Sequence, residues 1–216
     1  MPQDVARPQF ECVGGSSCLD FINTVSRVAF HDGRLNTCHD VIRWAAGARL
    51  LRPTDRRRLT RLAARNRRSA QRELRALLRL RSLLHRLFVR LGEGKRLRPD
   101  DLSSFNMVLR AVLRRAELLA RKGELTWSPE ADADDLQGIR RLIVWDAARL
   151  LTSDRLGLVR RCANPTCGLV FLDESRRRNR RWCSMSDCGA RAKAKRYYDR
   201  HRLSGRSVGK RRPRRR

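Results

Sequence analysis

The sequence predicts a mainly α-helical chain that carries a small C-terminal module built around four cysteines. Three observations lead to this fold class. Leucines recur at helical spacing from Leu77 to Leu91, and only short stretches have the character of strands. Four of the seven cysteines lie in two pairs between Cys162 and Cys188. With 216 residues, the chain can form one moderate core and one appended module.

Residues 1–154 are expected to form the helical domain. Ser16 or Ser17 is a candidate N-cap for a short helix that carries Leu19 and Ile22. A turn is predicted over residues 31–34. Thr37 is then expected to cap a helix that continues to Leu50 and stops at Pro53.

The elements in the second half of this domain are predicted from the residues that start and stop helices. A helical region runs from Thr54 to Leu91, and a break at 66–69 divides it into two helices. Pro99 is a favourable first helical residue, and residues 118–127 are expected to form a small β-hairpin. A further helix is predicted to begin within 132–135 and to reach Leu150.

The cysteine pairs predict a metal site. Their pattern is Cys162-x4-Cys167, fifteen residues, then Cys183-x4-Cys188, and four thiolates satisfy the tetrahedral geometry of Zn²⁺. A strand at 169–172 and a helix from about Ala190 make the module, 155–204, a treble-clef-like or ribbon-like zinc finger. The alternative is a disulfide framework, which needs an oxidising compartment. The polar N-terminus shows no apolar signal segment, so zinc is favoured over disulfides and free thiols.

The charge of the chain indicates a polyanionic partner. Formal net charge is +29, from 51 basic and 22 acidic residues. Residues 155–216 hold 21 basic and 4 acidic residues, so more than half of the net charge surrounds the cysteine module. This balance favours nucleic acid over a membrane surface, and no apolar run approaches the roughly 20 residues of a membrane span. We expect a soluble, cytoplasmic protein whose tail, 205–216, is disordered without a partner.

The candidate nucleic-acid contacts lie in the loop between the cysteine pairs and on the helix that follows. Guanidinium groups bind phosphate and guanine edges bidentately. The helix is expected to lay Ala190, Ala194 and Tyr197 against the metal site and to present a basic face on its other side. The candidate contacts are Arg176, Arg177, Arg178, Arg180, Arg181, Arg191, Lys193, Lys195, Arg196, Tyr198 and Arg202.

These motifs resemble a known bacterial pair of domains. The paired cysteines, the run from Phe171 to Ser175 and the block from Arg180 to Ser184 resemble the CGNR zinc finger. Its signature tetrapeptide is altered here to Cys188-Gly-Ala-Arg191. Residues 18–50, with the Leu-Asp-Phe-x-Asn-Thr run from Leu19, resemble the ABATE domain that accompanies this finger.

The resemblance implies a DNA-binding transcriptional regulator, located at the bacterial nucleoid, whose helical domain senses a ligand or mediates dimerisation. RNA binding, for example at the ribosome, and a structural zinc module for protein contacts remain open alternatives. No phosphate loop, nucleophile elbow or His-Glu-x-x-His helix is present, so we do not expect an enzyme.

Asp20 and Asn23 are candidate contacts for a small-molecule effector because they are polar residues within an apolar segment. Bonding to neighbouring backbone is the more common role of such residues. A homodimer is compatible with the sequence, although no sequence motif indicates one.

Overall fold

The computed structural model describes residues 10, 12–24, 35–121, 123–128 and 135–205. The turn predicted at 31–34 and the tail beyond Gly205 lie outside this part of the chain. The helices within it are α1 (Ser17–Asn23), α2 (Cys38–Gly47), α3 (Pro53–Arg65), α4 (Arg67–Gly92), α5 (Pro99–Leu113), α6 (Gly138–Leu151) and α7 (Ala190–Gly205). No helix among the described residues is long and apolar enough to cross a membrane.

Two antiparallel hairpins accompany the helices. The first joins β1 (Glu117–Arg121) to β2 (Glu124–Ser128), and Leu118 lies opposite Trp127. The second joins β3 (Val159–Arg161) to β4 (Val170–Leu172), and Val159 lies opposite Leu172. The mainly α fold class and the small hairpin at 118–127 are therefore confirmed.

Local signals in the sequence fix most helix ends. Thr37 and Asp40 form a capping box, in which Thr37 Oγ1 accepts a hydrogen bond from the Asp40 backbone at 3.1 Å and Asp40 Oδ2 accepts one from the Thr37 backbone at 2.8 Å. Asn66 separates α3 from α4 and caps α4 by accepting a hydrogen bond from Ser69 N. Pro99 occupies the first position of α5, as its fixed φ favours.

Two helix starts differ from the prediction. Pro53 begins α3 instead of only ending the helix before it, because its missing N–H needs no partner in the first turn. The helix expected from 132–135 begins at Gly138. Asp135 instead accepts a hydrogen bond from Gln137 N, a local turn that delays the helix.

The central helix of the core is α4, which packs against α1, α2, α3 and α5. The short helix α1 packs against α4 and α6, while α2 packs against α3 and α4. Phe21 of α1 and Trp44 of α2 are both buried, and their ring centroids lie 5.1 Å apart. Burial of each such side chain stabilises the fold by about 2 kcal/mol, so the short α1 is held by its packing and not by its length.

The hairpin β3–β4 belongs to this same core. Val159, Val170 and Leu172 are buried in one cluster with the helices. The strand β3 packs against α4, and β4 packs against α1. The sequence suggested an appended module, but strands of three residues cannot bury enough apolar surface by themselves. The finger therefore takes part of its core from the helical domain.

Gly92, the last residue of α4, permits a close approach between these two parts. A Cβ atom at this position would lie 2.9 Å from Arg161 N and 3.1 Å from the carbonyl carbon of Arg160. Both neighbours belong to the backbone of β3 and cannot rotate away. Glycine at this position thus lets the end of α4 touch the strand.

Two carboxylates hold the start of α1. Asp146 of α6 accepts hydrogen bonds from Ser16 Oγ at 2.5 Å and from Cys18 N at 2.8 Å, so α6 supplies the cap of α1. Asp20 is only 9% exposed and accepts a hydrogen bond from Gly14 N at 2.7 Å. Burial raises the pKa of Asp20 to about 6, and the charge of Asp146 adds to this shift against the Gly14 hydrogen bond.

This shift predicts how Asp20 affects stability as the pH changes. The folded-state pKa lies above the ordinary value, so Asp20 favours the folded state at low pH, and this contribution is lost as pH rises through about 6. Asp20→Asn keeps an acceptor for Gly14 N and removes the buried charge. We expect the variant to be more stable than the native chain at pH 8, by on the order of 1–2 kcal/mol, and this gain to shrink at pH 5.5. Urea unfolding at both pH values measures it.

Asp40→Asn is the matched control. Burial of Asp40 is outweighed by hydrogen bonds from Thr37 and Arg43, which lower the pKa of its carboxyl. The stabilisation that Asp40 gives the folded state is present above the ordinary pKa of an Asp carboxyl. It is lost as pH falls through the lowered pKa of Asp40. Asp40→Asn should therefore destabilise at pH 8. A native chain more stable than Asp20→Asn at pH 8 would contradict the burial argument.

Candidate metal centre

The structure brings four cysteines to one point. The Sγ atoms of Cys162, Cys167, Cys183 and Cys188 all lie within 4.8 Å of one another, and all four residues are buried. Cys183 Sγ lies 3.6 Å from the sulfurs of both Cys167 and Cys188. Among the described residues this is the one group of three or more candidate ligands that can hold a metal ion.

Two structural units supply these sulfurs. Cys162 and Cys167 lie in the connection between β3 and β4, where Cys167 N donates a hydrogen bond to Asn164 O at 3.0 Å and closes a turn. Cys183 precedes a single wide helical turn, Met185–Gly189, and Cys188 lies within that turn, which leads directly into α7. Ligands from a hairpin turn and from the start of a helix form a treble-clef-like arrangement.

Hydrogen bonds to sulfur hold the two units together. Cys183 N donates to Cys162 Sγ at 3.5 Å, and the Asn164 amide donates to Cys188 Sγ at 3.4 Å. The Asn164 oxygen accepts from Thr166 N and Thr166 Oγ1, which fixes the orientation of its amide. Hydrogen bonds to sulfur thus connect the unit that carries Cys162 and Cys167 to the unit that carries Cys183 and Cys188.

The close sulfurs of the cluster influence one another's protonation. Hydrogen bonds from Cys167 and Cys183 lower the pKa of Cys162. The bond with Cys162 raises the pKa of Cys167 to about 12, and bonds with Cys162 and Cys167 raise the pKa of Cys183. One thiolate is therefore favoured, while further thiolates are opposed by repulsion at short range. A divalent cation among the sulfurs reverses this balance and allows all four to ionise.

The donor set fits one metal ion. Four thiolates complete a tetrahedral shell, and the surrounding side chains exclude water. Val13, Leu169 and Trp182 pack against the buried cysteines. Trp182 therefore lies beside the cluster.

Asp173 organises the loop between the cysteine pairs. It is fully buried, and its Oδ1 accepts hydrogen bonds from Ser175 N at 3.1 Å and Ser175 Oγ at 2.5 Å. Its Oδ2 accepts one from Arg180 N at 2.9 Å. One carboxylate thus fixes both ends of the arginine-rich segment 176–179, which gives the Phe171–Ser175 run a physical role.

Arg180 is occupied inside the finger. Its guanidinium lies 4.4 Å from the centre of the Phe171 ring and donates to the carbonyl oxygens of Trp182, at 3.0 Å, and of Cys183. This residue was predicted to contact nucleic acid. In the structure its donors hold the backbone that carries Cys183.

Arg191 lies between the metal cluster and the surface. It donates to Asp187 Oδ1 at 2.6 Å, while its buried Nε has no partner among the described residues. Desolvation lowers the pKa of Arg191, but Asp187 and the sulfurs of Cys188 and Cys167 outweigh it and raise the value. The same attraction would favour thiolate charge at the cluster.

The other predicted nucleic-acid contacts are exposed. Arg181 lies over the Trp182 ring at 5.5 Å, and Tyr198 is 68% exposed beside Tyr197. Arg196 Nε donates to Ala192 O, one turn earlier in α7, at 3.3 Å. The exposed set comprises Arg176, Arg177, Arg178, Arg181, Lys193, Lys195, Arg196, Tyr198 and Arg202.

The orientation expected for α7 is wrong. Ala190, Ala194 and Tyr197 are exposed instead of lying against the metal site. Of the other elements, α7 packs mainly against the turn Met185–Gly189 that precedes it. This wide turn aims the helix away from the cluster, and Tyr197 contacts His201 within the helix, with ring centroids 4.2 Å apart.

Asp20 and Asn23, the candidate effector contacts, point into the protein. Asp20 bonds to Gly14 N, as described above. The Asn23 amide donates to Val170 O at 2.9 Å and accepts from Val170 N at 3.0 Å, so it pairs with β4 as a neighbouring strand would. Its donors and acceptors are directed to the backbone of the finger.

Sequence reasoning missed the residues that join the finger to the helices. Leu172 N donates to Gly14 O at 2.9 Å, so the N-terminal segment lies along β4. His85 of α4 hydrogen-bonds to the backbone of Gly168, next to Cys167, and burial together with Arg161 and Arg81 lowers its pKa. Asn23, a polar residue at the end of an apolar helix, is the one feature of the sequence that indicates a contact of this kind.

These contacts predict that the metal supports the whole chain. Cys183→Ser should lose tightly bound metal, as measured by elemental analysis, because one thiolate is missing from the shell. It should also lower the Tm of the helices by about 5–10 °C, since β3 and β4 share their core. Cys12→Ser, at an exposed cysteine outside the cluster, is the control.

Two outcomes would contradict this prediction. Equal metal content in both variants would remove the cluster from metal binding. Loss of metal with unchanged melting of the helices would show that residues 1–154 fold without the finger, as the sequence alone had suggested.

Arg191 predicts a second effect on the metal. Arg191→Ala should weaken metal binding about 10-fold, because it removes a cation beside the thiolates. Competition with a chromophoric chelator measures this, and Lys193→Ala, an exposed cation on the same helix, is the control. Unchanged metal affinity in Arg191→Ala would contradict the electrostatic role.

Two family models match the chain. Residues 159–201 match the model described as "CGNR zinc finger", and residues 15–154 match the ABATE model, described as "Putative stress-induced transcription regulator". No curated protein matches the chain. Together the two matches cover most of the chain. The chain therefore belongs to the ABATE family and carries a CGNR zinc finger at its C-terminal end.

Proposed function

We propose that this protein is a zinc-dependent, DNA-binding transcriptional regulator. The observation that carries the proposal is the placement of α7. The helix begins at the metal cluster, and from Lys193 to Arg202 every described side chain is exposed. A helix that is exposed on all sides and has no apolar packing face is available to a partner surface.

The charge of α7 favours a nucleic acid as that partner. Asp199 is the one acid between residues 193 and 202, against five cations: Lys193, Lys195, Arg196, Arg200 and Arg202. A helix that presents such a face can enter the major groove of a duplex, where side chains reach both phosphates and base edges. The arginine-rich segment 176–179, which Asp173 holds at both ends, adds Arg176, Arg177 and Arg178.

Zinc is the metal that suits this role. Four cysteines favour a soft divalent ion, and zinc takes this ligand set in tetrahedral structural sites. The closed shell leaves no position for a substrate, so the site supports structure and not catalysis. We therefore propose a regulator without enzymatic activity. We also propose that it acts in the cytoplasm, at the bacterial nucleoid.

RNA is the second candidate partner, and one observation favours it. Tyr197 and Tyr198 are 55% and 68% exposed, and exposed aromatic rings stack on unpaired bases. The same cations would contact the phosphates of either nucleic acid. A direct comparison of single-stranded RNA with duplex DNA distinguishes the two partners.

Enrichment from random duplex DNA and random single-stranded RNA, with zinc-loaded full-length protein, tests the proposal. We expect a DNA motif to be enriched. Lys195→Ala combined with Arg202→Ala should weaken binding to that motif and reduce the salt slope by roughly one unit for each phosphate that the variant no longer neutralises. If one of these residues reads a base, discrimination against random duplex falls by about 1–3 kcal/mol.

Arg110→Ala combined with Arg114→Ala is the matched control, because it removes two exposed arginines of α5 and of its C-terminal end. Equally weakened binding in both double variants would reduce the interaction to net charge and contradict a role for α7. Enrichment of RNA alone would replace DNA with the second candidate. Absence of any enriched nucleic acid would favour a zinc module for protein contacts.

A further inference from the structure

A cleft of about 640 Å³ lies between α2 and α3, on the helical domain and apart from the finger. Its lining comes from His39 and Arg43 of α2 and from Arg56, Arg57, Thr60 and Arg61 of α3. On α2 the two residues are four positions apart, and on α3 they form two pairs with the same spacing. Side chains with this spacing share a helix face, so both helices direct polar groups into one cleft.

The positive charge of this cleft is poorly balanced. Arg43 pairs with Asp40, at 2.6 Å. Within the described residues, Arg56, Arg57 and Arg61 have no carboxylate partner. By contrast, Asp55 in the first turn of α3 accepts two hydrogen bonds from Arg52, the residue before the helix, at 2.7 and 3.2 Å. Cations that converge without an acid repel one another, and a bound anion relieves this repulsion.

The donor types in the cleft match a phosphate group. A guanidinium offers two parallel N–H donors to a phosphate, and the imidazole of His39 and the hydroxyl of Thr60 can each donate one more. Three arginines without acidic partners favour a dianion over a single carboxylate. Arginine is also more weakly hydrated than lysine, so it loses less on binding an anion.

The volume of the cleft is compatible with a small ligand. It lies within the roughly 300–1,000 Å³ of small-molecule sites, which is enough for a phosphate ester of a sugar or a nucleoside. A nucleic-acid backbone offers similar phosphates, so a comparison of a small phosphate with duplex DNA separates these two sources. We take the small ligand as the occupant because the lining residues come from only two adjacent helices.

We propose that the α2–α3 cleft binds a small phosphorylated metabolite through Arg56, Arg57 and Arg61. The phosphate is held by these guanidiniums, with His39 and Thr60 as further donors. This site is independent of the proposed DNA interface, because none of its residues belongs to the finger. Binding at the cleft and binding of nucleic acid can therefore fail separately.

Calorimetric titration of the zinc-loaded full chain with pyrophosphate and with a nucleoside monophosphate tests the proposal. We expect binding at one site per chain. Arg57→Ala combined with Arg61→Ala should weaken it at least 10-fold. Arg65→Ala combined with Arg68→Ala is the matched control, since both are exposed arginines beside the cleft that do not line it. Circular dichroism checks that both variants remain folded.

Three results would overturn the proposal. The first is the absence of saturable binding of either probe. The second is equal weakening in both double variants, which would reduce the binding to nonspecific attraction. The third is loss of duplex DNA affinity in the cleft variant alone, without any pyrophosphate binding, which would assign the cleft to a nucleic-acid backbone. Thr60→Val gives a further test, because it removes a donor while leaving the charge and shape, and we expect it to weaken pyrophosphate about 3-fold or more.

Discussion

The pair of hydrogen bonds between Asn23 and Val170 joins the two parts of the chain, and much of the structure depends on it. The amide both donates to and accepts from one peptide of β4, across a separation of 147 residues. It ends α1 at the strand that leads away from the first cysteine pair. Because these groups are buried, loss of the amide would leave a strand N–H and a carbonyl without partners, at a cost of about 1–3 kcal/mol for each. The finger is thereby fixed in orientation relative to α1 and α4.

The arginines of this chain serve two distinct purposes. Arg140 pairs bidentately with the buried Glu73, and the buried Arg141 contacts Asp135, so these guanidiniums stabilise the packing of α6. Arg180 similarly holds the carbonyls before and at Cys183. Other arginines stay at the surface, on α3, in the finger loop and along α7. The high arginine content therefore does not by itself measure a nucleic-acid surface, and the useful distinction is whether a guanidinium already has internal partners.

The sequence was informative where a local rule governs the outcome. Spacing and caps predicted α2, α4, α5 and the β1–β2 hairpin, and the spacing of the cysteines grouped the four residues that now lie together. It was less informative where distant segments meet. Nothing near Gly14 or Gly92 in the chain indicates that each lies against a strand of the finger. The direction of α7 was also missed, because it follows from the wide turn Met185–Gly189, and no local periodicity reports the angle of such a turn.

The packing of Gly14 and Val13 against the finger has a consequence for biosynthesis. Translation produces Val13 and Gly14 well before Leu172 and the second cysteine pair, which they contact in the folded chain. The apolar side of α1 that faces β4 therefore stays uncovered until β4 has been made, and during this time aggregation competes with folding. A complete metal shell forms only after Cys188 has been made, so a shortage of metal would act on newly made chains before it reached those already folded.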